Sequence, residues 1–246
     1  MPAKGAPLTA LQATEVTYRY GGRAVFEPLT LSVAAGEMLA IVGPSGCGKS
    51  TLLEVLSGLR APAAGTVAGA RAVLMPQHDA LLDWLDAAGN AALPLRLRGL
   101  AAPAARAVAA ERLAALGLAE AAERRPYELS GGMRQRVAFA RTLLSEAPVL
   151  CLDEPFGALD AITRAHAQRW LATALAGEAA AVVLVTHAVE EAALLAGRIL
   201  VLSPAPGRVV AEIPGPARPP AERSATDPDV VAVRRQVLAA LEGAAA

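Results

Sequence analysis

The fold of this chain is decided by the stretch Met38-Leu39-Ala40-Ile41-Val42-Gly43-Pro44-Ser45-Gly46-Cys47-Gly48-Lys49-Ser50. Its first five residues form a short apolar run, which is typical of a buried parallel strand. Residues 43–50 match the phosphate-loop pattern G-x-x-x-x-G-K-[ST] in full, and residues 51–57 continue as a helix that Gly58 ends. Backbone N–H groups at such a helix N-terminus bind phosphate. The stretch therefore predicts a nucleoside triphosphate site, lined by Gly43, Pro44, Ser45, Gly46, Cys47, Gly48, Lys49, Ser50 and Thr51.

Two side chains of this loop have predicted roles of their own. Lys49 is expected to reach the β- and γ-phosphates, and the Ser50 hydroxyl is expected to be a Mg²⁺ ligand. The chain has one other lysine, Lys4, so Lys49 is not drawn from a lysine-rich background. Cys47 is a candidate reactive thiol, because a helix N-terminus lowers a thiol pKa. The other cysteine, Cys151, lies in an apolar run and is expected to be a small buried hydrophobe.

Composition and charge exclude several classes of protein. The 23 basic residues balance 23 acidic residues, so nothing indicates a nucleic-acid-binding surface. The apolar fraction of 54% is inflated by alanine, and no stretch reaches the ~18 uninterrupted apolar residues that a membrane-spanning helix needs. The amino terminus lacks the apolar segment of a signal peptide. We therefore expect a cytoplasmic protein whose association with a membrane comes through a partner.

Apolar runs alternate with helical patterns along much of the chain. This alternation indicates an α/β fold with a mainly parallel sheet, and the expected strands beyond the first are 72–75, 149–152, 181–185 and 199–202. Residues 8–33 instead hold β-like runs that Gly21-Gly22 and Pro28 interrupt. From about residue 79 to 146 no strand is expected, so a helical segment interrupts the core; the predicted helices here and beyond are Ala104–Leu116, Gly131–Leu144 and Ala161–Ala176.

The carboxyl-terminal part has a different composition. Residues 215–226 are rich in proline and polar residues and resemble a linker, and Asp227-Pro228 suits the start of a helix. One face of that helix is apolar, so it either packs on the core of its own chain or serves a regulatory or partner-binding role. The predicted division is a main domain over 8–215, interrupted by the helical insertion at about 79–146, and a linker with a helix over 216–246.

A second motif, Leu129-Ser130-Gly131-Gly132-Met133-Arg134-Gln135, identifies the kind of nucleotide protein. Ser130 is a good N-cap, and the glycines leave N–H groups free at the start of a helix, which makes a second anion-binding end. One nucleotide does not need two such ends from one chain. The motif resembles the signature of ATP-binding cassette (ABC) ATPases, in which the signature of one subunit closes on the ATP held by a second copy. The resemblance assigns Ser130, Gly131, Gly132 and Gln135 to nucleotide binding, and it implies a P-loop NTPase core with an N-terminal antiparallel β subdomain and an inserted helical subdomain.

Two carboxylates, Asp153 and Glu154, end the expected strand 149–152 at the sheet edge where open α/β folds bind ligands. Asp153 resembles the family residue that holds Mg²⁺, directly or through water. Glu154 resembles the carboxylate that polarises the attacking water. Because successive strand residues point to opposite sides, one carboxylate is expected to hold the metal while the other faces the water.

Four further residues acquire roles from the resemblance. Gln77 is expected to contact Mg²⁺ and the water and to link the core to a partner, and His187 is expected to contact the γ-phosphate. Asp160, in Ala158-Leu159-Asp160, is expected at the dimer interface. Tyr20 resembles the aromatic residue that stacks on adenine, with Tyr18 as the alternative. Stacking does not read the hydrogen-bonding edge of a base and permits GTP as well, so ATP is implied by the family.

The resemblance narrows to the ATPase subunits of nitrate, sulfonate and taurine importers, and also to relatives proposed to import pyrimidine precursors of thiamine. It rests on residues 80–84, Ala-Leu-Leu-Asp-Trp, and 202–208, Leu-Ser-Pro-Ala-Pro-Gly-Arg; Asp83 departs from the usual proline and Gly89 from the usual aspartate. The implied function is energy coupling: two copies close around two ATP, hydrolyse them and drive a membrane permease, with a solute-binding protein acting indirectly. The subunit would lie on the inner face of the cell membrane, held there by the permease.

Other assignments account for fewer of these residues. A soluble ABC ATPase of DNA maintenance or translation would carry long coiled coils or two cassettes, whereas this chain has one signature and no sustained heptads. A small-molecule kinase or GTPase would not explain residues 129–135. Leu81, Leu82 and Trp84 are expected either to dock a helix of the permease or to pack the helical insertion itself. Nothing in the sequence identifies the transported solute.

Overall fold

A computed structural model describes residues 9–157, 159–175 and 180–245. The chain opens with an antiparallel sheet of three strands, β1 (Thr9–Tyr20), β2 (Arg23–Ala34) and β4 (Ala64–Gly69), in the order β2-β1-β4. Gly21 and Gly22 both have positive φ, as the tight turn between β1 and β2 requires. The position of residue 8, where the predicted main domain begins, lies outside the described residues.

The expectation that Pro28 interrupts a strand is wrong. Strand β2 runs through it, because β2 lies at the edge of its sheet, where a missing N–H leaves no partner strand unpaired. The pairing also steps from Val16–Leu29 to Tyr18–Phe26, so that Pro28 lies in a bulge. Gly21-Gly22 does interrupt the β-runs, as predicted.

The main sheet has six strands, in the order β5-β6-β7-β3-β8-β9. Five of them pair in parallel, and all five were predicted: β3 (Met38–Val42), β5 (Ala72–Met75), β6 (Val149–Asp153), β7 (Ala181–Thr186) and β8 (Arg198–Leu202). Every residue of β3, β6 and β7 is buried, which explains their continuous apolar sequences. The sequence did not indicate two strands, β4 and the antiparallel edge strand β9 (Val209–Pro214). β4 is exposed except at the half-buried Val67, and β9 buries only Ile213, so neither has the continuous buried apolar sequence of the central strands.

The segment between β5 and β6 is helical, as predicted. Its helices are α2 (Ala87–Leu97), α3 (Ala102–Ala115) and α4 (Gly131–Leu143), so the two predicted helices agree to within two residues at each end. Helix α2 was not predicted, because it contains Gly89 and Pro94 and is otherwise rich in alanine. It is stabilised by Asp86, whose Oδ1 accepts a hydrogen bond from the Gly89 N–H at 2.7 Å.

The remaining helices complete the layers around the main sheet. They are α1 (Lys49–Leu56), α5 (Ala161–Ala174), α6 (Val189–Leu195) and α7 (Pro228–Ala245); the predicted end of α5 at Ala176 lies outside the described residues. One apolar face of α7 buries Val230, Val233 and Val237 against β8, β9 and α6, so this helix packs on the core of its own chain. None of the helices in the described part of the chain combines the length and the apolar character needed to cross a membrane.

Arg223 makes several of the hydrogen bonds that hold the predicted linker in place. Its Nη1 donates to the carbonyl oxygens of Ala196 at 2.8 Å and Leu194 at 3.1 Å, at the carboxyl end of α6, and its Nη2 donates to that of Pro216 at 2.8 Å. The last carbonyl groups of a helix have no intrahelical donor, so this guanidinium satisfies them. Arg223 therefore ties residues 216–223 and α6 together.

Replacing Arg223 with alanine should lower the free energy of unfolding by about 2 kcal/mol, because several half-buried carbonyl groups lose their donor. Urea denaturation of the purified protein measures this change. Arg218→Ala is the matched control in the same segment: its side chain makes an exposed ion pair with Asp227 at 3.0 Å, which should be worth less than about 1 kcal/mol. Equal losses in the two variants would contradict the role of Arg223.

Candidate functional site

The phosphate loop connects β3 to α1, as predicted. Gly48 has φ +98° and immediately precedes the first residue of α1. A Cβ at this position would lie 2.7 Å from Val25 Cγ1, so that both the backbone conformation and the space require glycine. The loop thereby directs the first N–H groups of α1 outwards, toward the position of an anion.

Lys49 lies over the loop with its ammonium group buried. Its Nζ donates hydrogen bonds to the carbonyl oxygens of Gly43 at 2.8 Å and Pro44 at 3.0 Å. Both acceptors are neutral. A phosphate oxygen is a stronger acceptor for an ammonium group, so the arrangement fits a triphosphate.

Asp153 ends β6 below the loop and is 5% exposed. Its Oδ1 is buried and has no hydrogen-bond partner among the described residues. Burial raises the pKa of the Asp153 carboxyl above its ordinary value, and a hydrogen bond from Ser50 opposes that shift. A buried carboxylate oxygen without a partner, beside a hydroxyl group, fits a Mg²⁺ site that is completed by phosphate oxygens and water. Ser50 and Asp153 therefore lie together, as predicted.

Glu154 does not lie on the strand. The expectation that strand alternation directs the Asp153 and Glu154 side chains to opposite sides is therefore wrong. Strand β6 ends at Asp153, and Glu154 has a left-handed conformation with φ +46°. That turn, rather than the pleat of a strand, separates the directions of the two side chains. A left-handed conformation is costly for a residue other than glycine and is found where the surroundings hold it in place.

Three neighbouring strands bring the partners of Glu154 together. Its Oε1 lies 3.0 Å from Nδ1 of His187, and its Oε2 accepts a hydrogen bond from Nε2 of Gln77 at 3.2 Å. Gln77 follows β5, Glu154 follows β6 and His187 follows β7, and these strands are adjacent and parallel. The carboxyl ends of adjacent parallel strands meet at one edge of the sheet, which explains the convergence.

The signature motif lies at the start of α4. Ser130 is its N-cap, as predicted, because its Oγ accepts a hydrogen bond from the Met133 N–H at 3.2 Å. Gln135 turns inwards: it is 5% exposed, and its Nε2 donates to the backbone oxygen of Glu154 at 3.0 Å. The structure therefore places Gln135 against the site of its own chain, whereas Ser130 is exposed.

The remaining predicted site residues lie on the surface. Asp160 is the N-cap of α5, with its Oδ1 accepting hydrogen bonds from the backbone N–H groups of Ile162 and Thr163. A hydrogen bond from the Thr163 side chain is the main cause that lowers the pKa of the Asp160 carboxyl, and the backbone hydrogen bonds add to it. Ala158, in the same predicted loop, lies outside the described residues. Tyr20 is 74% exposed. The alternative, Tyr18, is covered by the Arg60 guanidinium at 5.6 Å from its ring centre, which leaves Tyr20 as the accessible ring.

The burial of Cys47 disfavours the reactive thiol that its place before α1 suggests. The side chain is fully buried, and burial raises the pKa of the Cys47 thiol above its ordinary value, although the nearby Lys49 ammonium opposes the shift. Burial outweighs the helix end because a thiolate loses its hydration. Cys151 is a buried hydrophobe, as predicted, and burial raises the pKa of its thiol to about 12.

Several polar residues around the site were missed by the sequence reasoning. Glu191 is buried in α6 and accepts a hydrogen bond from Gln168 of α5 at 3.1 Å. Arg134 and Arg141 of α4 both contact the segment that follows Gln77. Such residues could be found in the sequence as charged residues within an otherwise apolar helical pattern. Their hydrogen-bonding partners can be identified only from the tertiary structure.

Together the fold and this site define a nucleotide-hydrolysing P-loop ATPase. The ABC transporter family model matches residues 26–157. The taurine import ATP-binding protein TauB of Chromobacterium violaceum is 42% identical, over 94% of this chain and 95% of that protein. TauB of Sinorhizobium fredii is 47% identical, over 77% of this chain and 74% of that protein. The chain belongs to the ABC transporter family.

A solved structure supports the same assignment. The dimeric ATP-binding cassette MJ0796, in a post-hydrolysis state bound to ADP and Pi, matches with a TM-score of 0.76 at 29% identity, over 83% of this chain and 98% of that chain. The predicted family, the α/β fold class and the ATPase activity are thereby confirmed, and the cofactors are ATP and Mg²⁺.

The two cysteines should resist alkylation in the folded protein. Because a raised pKa keeps a thiol protonated, iodoacetamide at pH 8 should modify native Cys47 at least ~10-fold more slowly than Cys47 in urea. Mass spectrometry of the Cys151→Ser variant measures Cys47 by itself. The native rate should keep increasing at pH values where a free cysteine has reached its plateau. Equal rates in native and unfolded protein would disprove the burial of this thiol.

Proposed function

We propose that this chain is the ATP-hydrolysing, energy-coupling subunit of a bacterial importer for taurine or a chemically similar sulfonate. The single observation that carries the catalytic part is the convergence of Gln77 and His187 on the Glu154 carboxylate, beside Asp153 and Lys49. The names of the relatives, which are taurine import ATP-binding proteins, support the choice of solute. The transported solute itself is not expected to touch this subunit.

The phosphate loop, residues 43–51, binds the triphosphate, with Tyr20 stacked on the adenine. Lys49 exchanges the carbonyl oxygens of residues 43 and 44 for phosphate oxygens. Ser50, Asp153 and Gln77 would hold Mg²⁺, which when bound would neutralise charge on the phosphate oxygens. The buried and unpartnered Oδ1 of Asp153 supports this ligand set.

Glu154 orients the attacking water by accepting a hydrogen bond from it. Gln77 and His187 hold the carboxylate from two sides, which restricts its rotation and keeps it directed at the water. His187 contacts the γ-phosphate and also lies beside Glu154. It therefore links the position of the γ-phosphate to the carboxylate that binds the water. Gln135 anchors the backbone of Glu154 and thereby connects it to the signature helix.

A second copy of the chain completes the nucleotide site. Gly131 and Gly132 are the first residues of α4, and the first N–H groups of a helix have no acceptor within it. The exposed Ser130 and these glycines form a second anion-binding helix end, distinct from that of the phosphate loop at α1. We assign them to the ATP of the partner copy, with Asp160 at the interface, and dimeric structures of a related cassette support this arrangement.

A membrane permease is the further partner, and a solute-binding protein acts through it. Trp84 is 69% exposed, whereas Leu81 packs on the core of the helical segment. Trp84 is therefore the residue of this group available to dock a permease helix. Docking on the permease places the subunit on the inner face of the cell membrane.

Glu154→Gln should bind ATP with an affinity within about twofold of the wild type, while turnover falls ~10²-fold or more, because the charge that orients water is lost. A radiometric phosphate-release assay and an ATP-binding titration measure the two quantities. Glu190→Gln, an exposed carboxylate of α6 close to His187, is the matched control and should retain the wild-type rate. Wild-type turnover in Glu154→Gln would refute the catalytic assignment.

The transport role is tested with the subunit assembled on its permease in proteoliposomes. Solute-binding protein loaded with taurine should raise the ATPase rate above that with unloaded protein. Trp84→Ala should keep the basal ATPase rate and thermal stability of the isolated subunit but lose this stimulation, because an exposed side chain contributes little to the core.

Leu97→Ala, which removes an apolar side chain that is 88% exposed at the end of α2, is the control and should retain stimulation. Stimulation by another solute class instead of taurine would replace the solute assignment. A large loss of thermal stability in Trp84→Ala would show that this residue packs the helical segment.

A further inference from the structure

The segment between β5 and α2, residues 76–86, connects two functional points. It begins beside Gln77, which contacts Glu154, and it carries the exposed Trp84. The segment has no regular secondary structure, so side chains from other elements must hold it. Its carboxyl-terminal half is held by the fully buried Asn90, whose side chain hydrogen-bonds the backbone N–H and oxygen of Leu82.

The amino-terminal half is held by Arg141 of α4. Its Nη2 donates to the carbonyl oxygen of Asp79 and its Nη1 to that of Ala80, both at 2.7 Å. Ala80 has φ +46°, a conformation that disfavours alanine. Burial lowers the pKa of the Arg141 guanidinium, but arginine remains charged, and its planar fork fits two adjacent acceptors. The two strong hydrogen bonds therefore fix an unfavourable backbone turn.

The same helix contacts the site at two further points. Arg134 pairs with the Asp79 carboxylate at 2.9 Å and also donates to the backbone oxygen of Leu129. Gln135 donates to the backbone of Glu154. Helix α4 thus contacts the segment, the signature motif and the backbone of Glu154, and Arg141 makes the contact farthest along the helix.

We infer that Arg141 is a positioning residue, which fixes residues 79–80 on α4 and so sets the placement of Gln77 beside Glu154 and, together with Asn90, the order of the segment that carries Trp84. Arg141 touches neither nucleotide nor metal in this proposal and acts through the backbone. The inference rests on the proposed function for the roles of Gln77 and Glu154. The order of the segment around Trp84 is measurable without those roles.

The test uses the fluorescence of Trp84. The chain has two tryptophans, and Trp170, which packs edge-on against Phe139, is replaced with phenylalanine so that emission reports Trp84 alone. In this background Arg141→Met should at least double the amplitude of the fast, local component of Trp84 anisotropy decay. It should also lower kcat ~10-fold while the KM for ATP stays within about twofold, because the phosphate loop is unchanged.

Arg136→Met is the matched control on the same helix. Its guanidinium donates to the backbone oxygen of Leu116 at 3.0 Å, away from the segment, so Trp84 should keep its order. Arg141→Lys retains the charge but not the planar fork, and it should give intermediate values of both quantities. It is also the decisive variant if Arg141→Met does not fold.

Three results would overturn the inference. The first is an unchanged Trp84 anisotropy decay in folded Arg141→Met, or in Arg141→Lys if only that variant folds. The others are equal Trp84 mobility in Arg136→Met and Arg141→Met, and a changed KM for ATP with an unchanged kcat. An inactive wild-type protein would refute the proposed function and leave the anisotropy comparison valid. The two failures are therefore distinguishable.

Discussion

Parallel pairing of four adjacent strands is the constraint on which the rest of this structure depends. β5, β6, β7 and β3 run in the same direction, so the residues that follow them emerge at one edge of the sheet. The phosphate loop, Gln77, Glu154 and His187 are far apart in sequence and meet there for that reason. The completely buried strands make the edge rigid, because a shift of one strand would move apolar side chains out of the core.

Two charged side chains at that edge, those of Lys49 and Asp153, are suited to bind a charged ligand. Lys49 and Asp153 are buried, and burial of a charge is costly unless it is compensated. Lys49 is compensated by neutral carbonyl oxygens, while Asp153 keeps one oxygen without a partner among the described residues. Binding of a triphosphate with its metal would compensate both groups at once.

Helix α4 contacts parts of the site that the sheet does not connect. Its N-terminus is capped by Ser130, its first turns contact the backbone of Glu154 through Gln135, and its later turns hold residues 79–80 through Arg141. On the proposed function, such an element would move the signature, Glu154 and residues 76–86 together.

The sequence by itself determined the family, the phosphate loop, the five parallel strands and the helices α1, α3, α4, α5 and α7. These features depend on local chemistry: apolar runs, glycines and an N-cap serine are visible without knowledge of partners. The tertiary structure alone decided the left-handed turn of Glu154, the continuity of β2 through Pro28 and the burial that raises the pKa of the Cys47 thiol. It also decided the partners of Arg141 and Arg223. Each of these depends on which distant segments lie next to the residue, and the local sequence carries no record of those neighbours.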